Sequence, residues 1–424
     1  MSDRVIFHID LNCFYASVET VLNPAYRGKA LAVCGSKEDR HGIVLAKSEL
    51  AKQRGVQTGM AIWQAQKVCP DLTVVPPNFP MYHKFSALTR DIYLRYSDLV
   101  EPFGLDESWI DMTGAALHYD TPFDLAEEVR TTVSRELGLT VSVGVSFNKI
   151  FAKLASDMKK PDATTVISRE NYQTVAWGAP VGDLLFVGRS TARTLGLYSI
   201  HTIGDLANAD PAFIRHLLGK NGAMLHSFAN GWDTSPVRHA SDKVPPKSIG
   251  HGITMNADVT DDEEVARIFL ELSQDVGKQL RSEGMFAEGI QIAVKDRHLI
   301  TKQLDAPLPT ATQSARLIAE SAFSLYRRSY RKECPIRALT VRATRLSQGT
   351  AGEQLDLFYD GARLERETRL EKATDDIQSA FGEGAIFPAA VLLNDKTRSH
   401  HKDMPVFPKP YFLTGGANET NKKG

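Results

Sequence analysis

Three carboxylates in this chain have the chemistry to hold divalent cations beside a phosphate. Asp10 ends the short apolar run 5–9, and Asp106 and Glu107 stand together in the segment GLDES between two strand-like runs. Carboxylate oxygens are hard donors suited to magnesium. Two such ions about 4 Å apart can activate an attacking hydroxyl and stabilise a departing pyrophosphate. Phosphoryl transfer asks for little beyond positioning and charge neutralisation. Taken singly, an aspartate at a strand end or an acidic pair in a turn is an ordinary solvated feature. The chemistry exists only where a fold gathers all three.

The hydrophobic periodicities predict such a fold. The run 5–9 reads as a buried strand and FYASVE as the start of a helix. Residues 30–35 and 42–46 read as strands, with helical patterns over 47–54 and 61–68. Between 80 and 96, Tyr82, Phe85, Leu88, Ile92, Tyr93 and Tyr96 keep helical spacing. Residues 99–103 and 109–112 are strand-like, 123–137 form an amphipathic helix, and 139–146 alternate as a strand. With 12–79 set aside as an insertion, the order is strand, helix, strand, strand, helix, strand, which is ferredoxin-like. In that topology the first and third strands are central neighbours, so Asp10 would meet Asp106 and Glu107 at one sheet edge.

Beyond Pro161 come a strand (TTVIS), short helices to about 232, and a charged, Pro- and Ser-containing linker. A second, smaller α/β region follows, with strands expected around 247–258, 288–295 and 336–345 and helices near 261–282 and 311–330. A helix is expected over 361–381, and the polar, Pro- and Gly-rich end is expected to be disordered. The predicted class is therefore α+β and multidomain.

Composition narrows the function classes. With 50 Lys and Arg against 51 Asp and Glu, the formal net charge is −1. The chain is no basic coat protein, and any nucleic-acid surface must be local. Four cysteines without a CxxC pair suggest buried apolar residues in a reducing compartment. No apolar stretch approaches the ~20 residues of a membrane span, and no signal-peptide pattern is present. A cytoplasmic protein with no membrane association is expected.

The segments DLNCFYASVE (10–19), GLDESWIDMTG (104–114) and SVGVSFNKIFAKLASDMKKP (142–161) stand in order and together resemble the Y-family translesion DNA polymerases. The likeness is to the DNA polymerase IV type, in a Gram-positive-like variant with some features of polymerase V catalytic subunits, and runs from about residue 4 to about 358. It implies a ferredoxin-like palm (1–11 and 80–166), inserted fingers (12–79), a small helical thumb (167–232), a linker (233–246) and an α/β little finger (247–345). A clamp-binding motif, short helix and tail would fill 346–424. The implied activity is template-directed, low-fidelity DNA synthesis past damaged bases, by a monomeric bacterial enzyme using two Mg²⁺ ions. Its partners would be primer-template DNA, deoxynucleoside triphosphates and a sliding clamp. No second carboxylate set suggests a proofreading nuclease.

The resemblance assigns the metals to Asp10, Asp106, Glu107 and the Leu11 carbonyl. It places Asn12, Phe14, Tyr15, Lys52 and Lys160 at the incoming nucleotide. Tyr15 falls at the family's steric gate, where its ring would clash with a 2′-hydroxyl. Lys160 precedes Pro161 and matches a triphosphate-binding lysine; Lys52 stands where arginine is usual. Ala46 and Glu49 replace the usual threonine and tyrosine. Because a glutamate would repel a triphosphate, Glu49 is expected to turn away. Asn12 replaces a frequent aspartate, and Gly104 a frequent serine or threonine.

Residues 184–206 resemble a helix-hairpin-helix, whose N–H groups at Val187, Gly188 and Arg189 would grip a phosphate without reading sequence. Phe186 stands where the first glycine is often found. Alternation over 336–345 turns Arg337, Arg342 and Arg345 outward, as a DNA-facing sheet would require. Gln354, Leu355, Leu357 and Phe358 match the QLxLF clamp-docking motif, with Leu357 and Phe358 as apolar anchors. Two other readings are open: another palm-fold nucleotidyl enzyme, or a non-catalytic DNA- and clamp-binding factor.

Overall fold

The computed structural model describes residues 4–36, 42–242, 244–331, 334–348, 361–382, 385, 386 and 388–392. The chain divides into two compact units, one holding the residues up to Cys34 and Val44–Val244, the other built chiefly from Pro245–Pro405.

The first unit centres on a five-stranded sheet in the order Val100–Phe103, Glu107–Asp111, Ile6–Leu11, Val141–Ser146, Thr164–Ile167. Every pairing is antiparallel except the last, which is parallel. The first four strands have the ferredoxin-like order. All six residues of Ile6–Leu11 are buried, because it is a central strand covered on both faces. Phe7, Ile9, Ile110, Val143 and Val145 share a core with Tyr82 and Phe85 of the helix Phe79–Tyr93, and with Leu125, Val129 and Val133 of Pro122–Leu137. Burying each such side chain contributes about 1.5–3 kcal/mol.

Both helices begin where side chains satisfy their first N–H groups. Asn78 accepts from Met81 N, and Thr121 forms a capping box with Asp124. The insertion carries its own sheet, in which Leu31–Cys34 lies between Val44–Lys47 and Thr73–Val75. Short helices from Tyr172–Ala176 to Lys220–Ala229 enclose a separate core that includes Leu184, Leu195, Ile203, Ile214 and Leu225.

The opposite face of the central sheet is covered by the helix Lys149–Met158, which approaches unusually closely. A Cβ on Gly144 would fall 1.9 Å from Ala152 O and 2.4 Å from Ser156 N. Only a residue without a side chain allows that packing.

The second unit is a four-stranded antiparallel sheet ordered Thr301–Thr312, Met285–Asp296, Ile336–Gln348, Ser248–Val259, with Asp262–Glu283 and Ala315–Ser329 packed on one side. The strand Thr301–Thr312 escapes the sequence reading because Pro307 and Pro309 interrupt it. It is an edge strand, the place in a sheet where missing N–H groups are tolerated. The helix expected from 311 starts only at Ala315, after the Ser314 cap. A helix spans Gly361–Phe381. Arg281 joins it to the same unit through Glu371 and Asp375, each at 2.6 Å. Among the described residues no helix is long and apolar enough to cross a membrane.

Candidate active site

The three carboxylates sit on adjoining backbone. Asp10 and Glu107 are cross-strand partners, and Leu11 N–H donates to Asp106 O at 2.9 Å. Cross-strand Cα atoms lie about 4.5–5.5 Å apart, so acids almost a hundred residues apart in sequence share one edge. Phe103 pairs with Glu107, leaving Gly104, Leu105 and Asp106 as the hairpin turn. Gly104 has φ +83°, a conformation that explains glycine there better than any contact role.

Two lysines enter the cluster. Lys160 Nζ contacts Asp10 at 2.7 Å and Asp157 at 2.7 Å; Lys153 Nζ contacts Glu107 at 3.1 Å, Asp157 at 3.0 Å and Asp10 at 3.7 Å. Burial pushes the Asp10 carboxyl up to about 7 against the pull of Lys160. Burial and the neighbouring Glu107 raise Asp106. Burial works the same way on Glu107, but His8 and Lys153 outweigh it and hold that carboxyl well below the ordinary range. Among the described residues no three acidic, histidine or cysteine groups already form a metal-ligand arrangement. The donor chemistry nevertheless fits divalent cations. It offers hard oxygens at a buried edge, one carboxyl raised by desolvation, and a Glu107 Oε2 without a formed hydrogen bond.

A cleft of about 430 Å³ opens beside them, lined by Asp10, Leu11, Asn12, Phe14, Tyr15, Ala46, Lys47, Glu49, Lys52, Asp106 and Lys160, among others. Tyr15 stacks on Tyr82 with centroids 4.2 Å apart and planes at 7°, and meets Phe79 edge-on at 5.9 Å. The floor of the cleft at this point is therefore an aromatic cluster packed on Tyr15 from two sides. Phe14 is buried beneath.

Asn12 lines the cleft and is also tied to its own scaffold. Its amide donates to Ser142 Oγ at 2.9 Å and accepts from Asp162 N at 2.8 Å, so the side chain braces the strand end. Glu49 is a correction: it lines the cleft instead of turning away. It lies 3.7 Å from Lys52 and 3.8 Å from Cys13 Sγ, which reduces the charge Lys52 presents. Lys47 Nζ donates to Thr58 at 3.1 Å on the same wall. All four cysteines are free, but Cys13 and Cys334 are only half-buried.

Farther along, Val187 N–H is already bonded to Leu184 O at 3.0 Å and its side chain is buried, contrary to the expected phosphate grip. Gly188 caps the helix Arg189–Gly196, whose first N–H groups have no intrahelical partners. Phe186 adopts φ +71° and is exposed, the conformation for which glycine is the usual solution. In the second unit Arg342 is exposed and Arg337 half-buried. Arg345 is exposed but breaks the alternation with φ +52°. Gln354, Leu355, Leu357 and Phe358 lie outside the described residues.

Sequence reasoning missed His8, Lys153 and Ser156. Lys153 and Ser156 lie inside a quoted motif and His8 two residues before another, but that the three meet depends on the close packing over Gly144. It also missed Glu101, buried and holding Lys149 Nζ at 2.7 Å, Arg238 N at 3.0 Å and Arg238 Nη2 at 2.8 Å. The beginning of the expected linker is thereby fastened to the central sheet.

A ferredoxin-like sheet presenting paired acids beside a lysine-lined cleft defines a palm-type nucleotidyl-transfer enzyme. The chain matches the impB/mucB/samB family over residues 9–157 and that family's C-terminal domain over 246–357. It is 45% identical over 393 residues to a DNA polymerase IV of Acetivibrio thermocellus, covering 93% of this chain and 98% of that protein. It is 36% identical over 403 residues to DNA polymerase IV 1 of Bacillus subtilis, covering 93% and 95%. A solved Y-family DNA polymerase chimera shares its fold with a TM-score of 0.73 at 23% identity, over 81% of this chain and 100% of the other. The chain belongs to the Y-family DNA polymerases of the DNA polymerase IV type, and is a DNA-directed DNA polymerase.

Proposed function

We propose that the enzyme extends primers past damaged template bases, with low fidelity and without proofreading, by two-metal nucleotidyl transfer. The observation that carries this reading is the cross-strand pairing of Asp10 with Glu107, with Asp106 bonded through its carbonyl to Leu11 N. Asp10, Asp106, Glu107 and the Leu11 carbonyl would hold two Mg²⁺ ions. The chemistry such ions supply is activation of the primer hydroxyl and neutralisation of the leaving pyrophosphate. Lys160 and Lys52 face the triphosphate and share its remaining charge. The stacked Tyr15 rejects a ribose at the sugar. Arg189, Arg337, Arg342 and Arg345 bind the primer-template backbone, and Gln354, Leu355, Leu357 and Phe358 dock a sliding clamp. The enzyme acts as a monomer in a bacterial cytoplasm, a setting consistent with its four free cysteines.

The test is primer extension opposite a defined damaged base, comparing the native protein with Asp106→Ala. Bypass by the native enzyme and loss of at least about a thousandfold in the variant are expected. Full activity in the variant would refute the mechanism, and shortening of a mispaired primer by the native protein would refute the absence of proofreading.

A further inference from the structure

His8 lies directly behind the site with no solvent exposure. Strand alternation puts it on the same face as Asp10, and it pairs with Trp109 on one side and Gly144 on the other. Its Nδ1 is 2.7 Å from Ser156 Oγ, while Nε2 is 3.2 Å from Glu107 Oε2. The second contact is close but is not a formed hydrogen bond; both atoms are buried, His8 Nε2 has no other hydrogen-bond partner, and Glu107 Oε2 also lies 3.1 Å from Lys153 Nζ. A buried donor left unpaired is unfavourable, and Glu107 Oε2 is the acceptor within reach.

Proton bookkeeping fixes the roles. A neutral imidazole carries one N–H. If Nδ1 held it, a bare Nε2 lone pair would confront a carboxylate oxygen. If Ser156 turns its hydroxyl to Nδ1 instead of to Lys153 O at 2.8 Å, Nε2–H points to Glu107 and both contacts become favourable. Lys153 also reaches Glu107, with Nζ 3.1 Å from both Oε1 and Oε2, but that ammonium is shared with Asp157 and Asp10 and is free to follow a cation or a phosphate. The imidazole is enclosed and has one direction in which to donate.

We propose that His8 is a positioning residue for Glu107. Ser156 fixes the His8 tautomer, His8 Nε2–H holds Glu107 Oε2 from inside the protein, and Oε1 is left to face a divalent cation. This rests on the reading of Glu107 as a metal ligand. The arrangement resembles the general pattern in which a buried partner orients a ligating carboxylate.

The test is Mn²⁺ binding to the full chain on a dideoxy-terminated primer-template with the matching nucleotide, followed by electron paramagnetic resonance so that no turnover is needed. His8→Leu is expected to weaken the affected Mn²⁺ site by about tenfold, Ser156→Ala by less, and His8→Gln, which keeps an N–H donor, to recover most of the loss. In turnover assays the Mg²⁺ concentration for half-activity rises while KM for the nucleotide stays near that of the native enzyme. Native Mn²⁺ affinity in both His8→Leu and Ser156→Ala, alongside weakened binding in Glu107→Ala, overturns the positioning role alone. Native affinity in Glu107→Ala overturns the ligand reading and this inference with it. Should His8→Leu fail to fold, the milder Ser156→Ala decides the question by the same readout.

Discussion

Gly144 stands opposite His8 in the sheet, and the space left by its missing side chain is filled by the backbone of the helix that delivers Ser156 and Lys153 to the active site. One small residue thus sets the depth at which the basic helix rides over the carboxylates. Gly144→Ala forces a carbon against Ala152 O, and neither backbone can yield easily. A loss of about 3 kcal/mol is expected, measured as a lower denaturant midpoint with unchanged slope. Polymerase activity is expected to fall further than the unfolded fraction accounts for. An unaltered midpoint would mean that the helix can ride outward freely.

Tyr15 is held by its stack on Tyr82 and its edge contact with Phe79. Because the ring is packed on two sides, removing it is the direct way to open space beneath the sugar. For Tyr15→Ala the ratio of kcat/KM for a ribonucleotide to that for its deoxynucleotide is expected to rise about a hundredfold. Single-nucleotide insertion kinetics with both sugars give the ratio, and an unchanged value removes Tyr15 as the gate.

Glu101 supplies the pH dependence of stability. Burial pushes its carboxyl up, but Lys149, Arg238 N–H and the Arg238 guanidinium together hold it below the ordinary value. The unfolded chain therefore binds this proton more readily than the folded one. The stabilisation is complete above about pH 5 and is lost as pH falls through the depressed folded value. Glu101→Gln leaves Lys149 without its counter-charge and is expected to cost about 3 kcal/mol at neutral pH. The difference between the two proteins should narrow as the solution is acidified. Denaturation followed between pH 7 and pH 3 checks the sign, and a gap that widens toward acid contradicts it.

The proposed clamp contact rests on two apolar anchors. Phe358→Ala is expected to weaken binding to a sliding clamp by at least tenfold, about 1.4 kcal/mol or more, with primer extension on short DNA unchanged. Surface-immobilised clamp gives the affinity; equal binding of both proteins rules the motif out.

The carboxylate triad was legible because a short apolar run ends at Asp10, a three-residue turn delivers Glu107 opposite Phe103, and the strand order expected from the periodicities makes the two distant strands neighbours. The neighbours of the triad were not legible in the same way. Lys153 and Ser156 reach the site only because Gly144 admits their helix, a fact of tertiary packing with no periodic signature. Asn12 and Glu49 occupy positions a family likeness assigns to the nucleotide, yet one is bonded to its own scaffold and the other pairs with Lys52. Val187 shows the same limit, since a backbone N–H that looks available in a motif is taken by Leu184.

The outermost strand of the second unit, Thr301–Thr312, carries Pro307 and Pro309, both exposed. A foreign chain trying to lengthen the sheet on that side would find two rungs of the ladder missing and two rings standing in its path. The sheet is thereby guarded against growth along this border.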